Sequence, residues 1–193
     1  MIESDIRDAL QFIICQAYEE EQPGRIYMDM FDLVSVAMEQ IVYEESRTGK
    51  KAACRQLVRV ERTETDSNVA EGALKNIHML RTIFPFALSY PGDYEVYYSY
   101  GRTSSLENSY ALWPHYVITE KNIVLVSGDE KTGVLIENER LACSCIRELQ
   151  RQKQSYQRLL ACMGNVEKGL EYYASKITPE KFLMSYETTP CVA

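Results

Sequence analysis

Tyr94-Glu95-Val96-Tyr97-Tyr98-Ser99-Tyr100 is the stretch on which the reading of the fold turns, because strand-favouring aromatic residues here replace the helical spacing that precedes them. Upstream, Ile2, Ile6, Leu10, Ile13 and Ala17 recur at steps of four and three, which predicts an amphipathic helix over residues 2–20 ended by Pro23-Gly24. Phe31, Val34, Met38, Ile41 and Val42 repeat that spacing, with Gly49 following as a stop signal. Two further helical runs are predicted over about 50–62 and 67–83. Val69, Ala73, Ile77 and Leu80 form the stripe of the second, and Pro85 is expected to stop it.

Downstream of Tyr100, residues 101–109 read as a polar loop. His115 to Thr119, Asn122 to Ser127 and Gly133 to Ile136 read as three short strands, a small antiparallel meander. Asn138 is a reasonable N-cap for a long helix. Cys145, Leu149, Gln152, Tyr156, Leu159, Met163, Val166, Leu170 and Tyr173 then alternate steps of four and three, a heptad seam imperfect at Gln152. Gly164 and Gly169 each weaken a helix there by about 1 kcal/mol relative to Ala. The expectation is an α+β fold with a mainly helical N-terminal half, a small antiparallel sheet and a long C-terminal helix. It is a single domain over 1–193, with a helical part at 1–90, the meander at 91–137, the long helix at 138–175 and a tail at 176–193.

Composition narrows the classes. Apolar residues make up 46% and charged residues 25%, ordinary globular usage. No stretch approaches the roughly 20 apolar residues of a membrane span. Glu3, Asp5 and Asp8 stand where a secretion signal has its basic opening, so the expected location is the cytoplasm. Six cysteines occur without any C-x-x-C, and Cys143 and Cys145 would point to different faces of a helix; free reduced thiols are expected. The net charge of −7 is uneven: residues 1–48 carry 3 basic against 11 acidic residues, a balance of −8, and residues 138–176 carry 7 against 4, a balance of +3. Such a chain repels phosphate backbones, so contact with DNA is expected only through a domain outside it.

Catalytic and metal readings find no motif. His78 and His115 are the only histidines, neither in an H-x-x-x-H or H-E-x-x-H arrangement, so no metal site, cofactor or catalytic residue is assigned. No P-loop, G-x-G-x-x-G or G-x-S-x-G occurs. Lys51, Arg55, Arg59 and Arg62 lie at steps of four, four and three, a stripe that could hold an anion if it were not a solvated face. Half of the twenty aromatic residues fall in 84–116. Tyr97, Tyr98, Tyr100, Trp113 and Tyr116 are the candidate ligand-binding set, since such rings offer a large apolar face with a polar handle. The plain alternative is a sheet using tyrosine on its wet side.

Trp113-Pro114-His115-Tyr116-Val117-Ile118-Thr119, then Asn122-Ile123-Val124-Leu125-Val126-Ser127, then Gly133-Val134-Leu135-Ile136 and a helix, resembles the C-terminal effector portions of helix-turn-helix transcriptional regulators from Firmicutes. Tyr186-Glu187-Thr188-Thr189-Pro190-Cys191 is similar to a stretch those proteins also carry. The resemblance implies a ligand-sensing or interaction domain whose DNA-binding head precedes it; the acidic residues 1–50 show no such head. The resemblance carries no site residues over. Three functions are therefore carried forward. The first is a sensor of a small-molecule effector. The second is a dimerisation or protein-interaction domain, a homodimer joined through 138–175. The third is an enzyme whose Cys or His meets a carboxylate only in the fold.

Overall fold

The computed structural model describes residues 3–61, 69–90, 92–101 and 112–163. In chain order the elements are α1 (Glu3–Glu19), β1 (Arg25–Met28), α2 (Val34–Thr48), β2 (Ala53–Glu61), α3 (Val69–Ser89), β3 (Asp93–Gly101), β4 (His115–Ile118), β5 (Asn122–Val126), β6 (Gly133–Glu137), α4 (Glu139–Lys153) and β7 (Gln157–Met163). The strands form one seven-stranded sheet in the order β6-β5-β4-β1-β2-β3-β7. β1, β2 and β3 run parallel, joined by α2 and α3, while the remaining pairs are antiparallel. A parallel pair needs a crossover element, and these two helices supply it.

This overturns the expectation of a small antiparallel sheet and a long C-terminal helix, although the residues before β3 remain mainly helical. The run expected as a helix at 50–62 holds strand β2 over Ala53–Glu61. Its residues Cys54, Gln56 and Val58 are buried on one face and Leu57 on the other. Steps of four, which suggested a helix through Lys51, Arg55 and Arg59, also keep residues on one face of a strand, because four is a multiple of the strand period of two. The heptad seam breaks where Gln152 already marred it. α4 stops at Lys153, residues 154–156 turn, and the apolar run from Leu159 to Met163 belongs to β7, paired with β3. A short apolar run of this kind has no periodicity to tell strand from helix. The part of the seam beyond Met163 lies outside the described residues. Pro85 does not end its helix either: α3 continues to Ser89, and its buried face is Met79, Ile83, Phe86 and Ala87 rather than the Ile77 stripe.

Other local signals read correctly. Gly49 closes α2 with φ 72°, donating its N–H to the Glu45 carbonyl, a left-handed cap that glycine adopts without strain. Asn138 caps α4 by accepting from the Leu141 amide at 3.0 Å. The meander forms as β4, β5 and β6.

Strand alternation divides the core in two. Ile26, Met28, Cys54, Val58, Tyr94, Val96, Val117, Val124 and Val126 point to the layer of α1, α2 and α3. Tyr27, Leu57, Ile118 and Ile123 point the other way, to Ala142, Ile146 and Leu149 of α4. Each such aliphatic side chain contributes about 1.5–3 kcal/mol by leaving water. α1 sits close on the meander: a Cβ on Gly133 would come within 2.9 Å of Ile6 Cγ1. Among the described residues no helix is long and apolar enough to cross a membrane.

Candidate ligand site at the carboxyl ends of the parallel strands

Because β1, β2 and β3 run the same way, their carboxyl ends share one rim of the sheet. In sheets of this kind that rim is where ligands commonly sit. β4 starts at the same rim, since it runs antiparallel to β1 with Met28 opposite Val117. The ladder continues one step further, the Asp29 amide donating to the Tyr116 carbonyl at 3.0 Å.

The next four residues carry polar chemistry. Asp29 Oδ2 lies 3.1 Å from His115 Nδ1, with both side chains 22% exposed. The Phe31 ring stacks on His115 at 5.3 Å between centroids. Asp32 Oδ1 lies 3.1 Å from His78 Nε2 of α3, in the open. Both histidines of the chain thus meet an aspartate from one short loop.

That loop is held from three sides. Gln56, fully buried on β2, donates through Nε2 to the Asp29 carbonyl at 3.2 Å, and its own Oε1 accepts from the Tyr94 hydroxyl. The Tyr116 carbonyl holds the Asp29 amide. Glu130, in the β5–β6 turn with φ 56°, accepts from the amides of Asp32 and Leu33 at 2.8 and 2.9 Å. A carboxylate on free amides at a helix start satisfies donors that have no partner within the helix and complements its dipole. This explains why Leu33 can precede α2 with no side-chain cap of its own.

The five aromatic residues singled out from the sequence do not line one pocket. Tyr98 and Tyr100 lie together on β3, their rings 5.4 Å apart and nearly perpendicular, with the Tyr98 hydroxyl donating to Gln157 Oε1 at 2.6 Å. Tyr98 packs on the α1–α3 side, whereas Tyr116 packs on the α4 side, with β1 and β2 between their strands. Tyr97 also leaves β3 on the α4 side, where Lys153 Nζ sits 4.2 Å from its ring centre. Trp113 is half-buried two residues before His115, at the rim itself.

The basic stripe divides as well. Arg55 is tied by Asp93 Oδ2 at 2.6 Å and Glu95 Oε2 at 2.8 Å. Arg59, four residues further along the same face of β2, is exposed near the carboxyl end. Lys51 precedes the strand, and Arg62 lies outside the described residues. Burial pushes the Tyr116 phenol well above its ordinary pKa, Asp29 and Tyr156 add to that, and Arg59 opposes it.

Sequence reasoning missed Asp29, Asp32, Phe31 and Gln56 as site residues. Their partners stand 46 and 86 positions away for the two aspartates, so no local motif announces them. The chemistry open to the site is recognition and proton exchange by imidazole and carboxylate. Among the described residues neither histidine has a thiol partner, and no group of three or more His, Cys, Asp or Glu is arranged to hold a metal.

No family model matches the chain, and no curated protein matches it. Among solved structures it is similar to that of TrmBL2, described as an archaeal chromatin protein with a novel mode of DNA binding, at TM-score 0.41 and 12% identity. The match covers 79% of this chain and 51% of that one, so the chain spans about half the length of this neighbour. The resemblance to Firmicutes regulators is not reproduced as a family match.

Proposed function

We propose that this chain is a ligand-binding regulatory module, the effector part of a transcription regulator, taking a small molecule at the carboxyl rim of its parallel strands. The observation that carries the reading is the Asp29–His115 pair, half-buried, stacked on Phe31 and fixed from behind by Gln56 and Tyr94. A pair so braced presents the imidazole in one orientation, and a fixed polar group beside aromatic surface is what small-molecule sites use for specificity. On this reading DNA contact comes through a domain outside the chain. The test is a thermal-shift screen of metabolites, since a ligand bound to the native state alone stabilises it by mass action. A hit should stabilise the wild type and lose that effect in His115→Ala and Asp29→Asn. Hits that stabilise both variants as well as the wild type would move the site elsewhere, and the reading would fail.

One observation favours the interaction-domain reading. α3 leaves Leu74, Ile77 and Phe84 at 66%, 52% and 47% exposure along its outer side. If a second copy covers this stripe, light scattering should show a dimer that Ile77→Glu returns to monomer; a monomeric wild type removes this alternative.

A further inference from the structure

A cavity opens at the amino end of β1, and we propose that it binds a small primary carboxamide of the kind carried by free glutamine. It lies at the opposite end of β1 from Asp29, so it is a site in its own right, independent of the carboxyl rim.

The cavity measures about 100 Å³ and is walled by the last turn of α1, the α1–β1 connection and the β4–β5 turn. That is room for about three waters or one small polar group. β4 runs antiparallel to β1, so its turn into β5 comes back to the end where Arg25 begins β1. The floor is preformed. Thr119 and Asn122, 2% and 3% exposed, hold each other across the turn. The Asn122 amide donates to Thr119 Oγ1 at 3.1 Å, and the Thr119 amide donates to the Asn122 carbonyl at 2.9 Å. Lys50 fixes the α1 wall, donating through Nζ to the Tyr18 carbonyl at 2.9 Å and to the carbonyl of Glu20. Gly24 has no room for a side chain because Glu120 packs across it, with one carboxylate oxygen 3.4 Å from the Arg25 amide.

The ligand's chemistry follows from two amides in the wall. Asn122 Nδ2 donates to Gln16 Oε1. Among the described residues that leaves Asn122 Oδ1 as an open acceptor and Gln16 Nε2 as an open donor, both on side chains that line the cavity. Neither atom is sealed from solvent, since among the described residues only Glu45 Oε2 is both sealed and unpartnered. Exchanging oxygen and nitrogen in both amides gives the same count, one acceptor and one donor. A primary carboxamide is the complement of that pair, offering a carbonyl to the donor and an NH2 to the acceptor in one planar group. A carboxylate in its place would set oxygen against oxygen. The exposed mouth carries both signs, Lys121 paired with Glu20 and Arg25 next to Glu120, which suits the zwitterionic head of an amino acid. Fixed polar groups in a small enclosed space are what such recognition uses.

The test is an NMR titration of the isotope-labelled protein, following the backbone amides of residues 119–122. Acetamide and L-glutamine should both move these signals saturably. L-Glutamate should bind at least about tenfold more weakly than glutamine, the cost of facing one acceptor with another. Gln16→Glu keeps an oxygen for Asn122 Nδ2 but removes the donor to the ligand. Acetamide and glutamine should each lose about tenfold in that variant, with signals remote from α1 unchanged as the sign of an intact fold. Arg151→Gln, at an exposed cation of α4 paired with Glu148, should bind as the wild type does. The comparison of glutamine with glutamate uses the wild type and decides the matter even if the variant does not fold. If neither amide moves the turn, if glutamate binds as tightly as glutamine, or if a folded Gln16→Glu binds like the wild type, the cavity holds water only and the assignment is overturned. Shifts confined to Asp29 and His115 would place the amide at the carboxyl rim, overturning this site while leaving that one standing.

Discussion

Two glutamates on opposite sides of the sheet, one buried and one half-buried, are stabilised in different ways. Glu45 of α2 is 5% exposed in the α1–α3 layer. Its Oε1 accepts from the Tyr90 hydroxyl at 2.7 Å, the Ala52 amide at 3.0 Å and the Tyr18 hydroxyl at 3.2 Å, while Oε2 is buried with no protein partner. No cation is among those partners. Glu95 of β3, on the α4 side, is ringed by Arg55 at 2.8 Å, Lys153 and Arg158 at 3.5 Å each, and accepts from the Tyr97 hydroxyl at 2.6 Å. The closed face uses neutral donors and the half-open face adds charge. Neutral donors in a closed core resist salt and depend on every bond, whereas charge at a partly open surface is screened and redundant.

The largest effect should come from Glu45→Ala. It removes the acceptor of two tyrosine hydroxyls and one amide and opens a space beneath α2. Unmet buried donors and a cavity together cost about 3–5 kcal/mol, read from urea melts. A loss under 1 kcal/mol would mean that water already serves this cluster, and the contrast with Glu95 would weaken.

The pH axis separates the two clusters further. Cys54, whose sulfur lies 3.3 Å from the Tyr90 hydroxyl, is buried, and that burial pushes its thiol from 9.0 up to about 12. A pKa raised by folding gives stability that is full below the unfolded value near 9 and lost as pH climbs toward 12. Tyr90 and Tyr18 are raised in the same direction, burial again first among the causes. Glu95 is shifted the opposite way. Burial alone would raise it, but the Tyr97 hydroxyl, Arg55 and Lys153 together hold it below its ordinary 4.5. Its contribution is present above that value and lost as pH falls through the lowered one. Glu95→Gln should cost about 1–2 kcal/mol at pH 7 and flatten the acid side of the stability profile, leaving the alkaline side intact. An unchanged acid side would remove Glu95 from the account.

How much of this was readable beforehand differs by region for the same physical reason. α1, α2, the Gly49 cap, the meander and the Asn138 cap are announced by residues within a few positions of one another. β2 was hidden because arginines spaced by four satisfy both helix and strand, and β7 because Leu159 to Met163 is a run with no period. At the site, Tyr116 was picked out by type and aromatic density. The Asp29–His115 pair beside it was not, since those two residues meet only once β1 and β4 pair. Glu45 and Glu95 looked alike in the sequence, two acids among 28; only tertiary neighbours make one a hydroxyl acceptor and the other an ion-pair hub.

The smallest effect, and the sharpest test of the comparison, is expected for Tyr97→Phe. The ring is 8% exposed and would stay in place, keeping its contact with Lys153. Only the hydroxyl bond to Glu95 is lost, while Arg55, Lys153 and Arg158 still neutralise the carboxylate. The stability loss should therefore be about 0.5–1 kcal/mol, less than for Glu95→Gln. Its signature lies in pH: with that donor gone the Glu95 pKa moves back toward 4.5, so the acid side of the profile should begin its fall at higher pH than in the wild type. Raising the salt concentration should then weaken the variant more than the wild type, because what remains around Glu95 is charge alone. If Tyr97→Phe instead costs as much as Glu95→Gln and shows no added salt sensitivity, the cations contribute little. Glu95 would then be held by a hydroxyl in the manner of Glu45, and the two faces of the sheet would follow one rule.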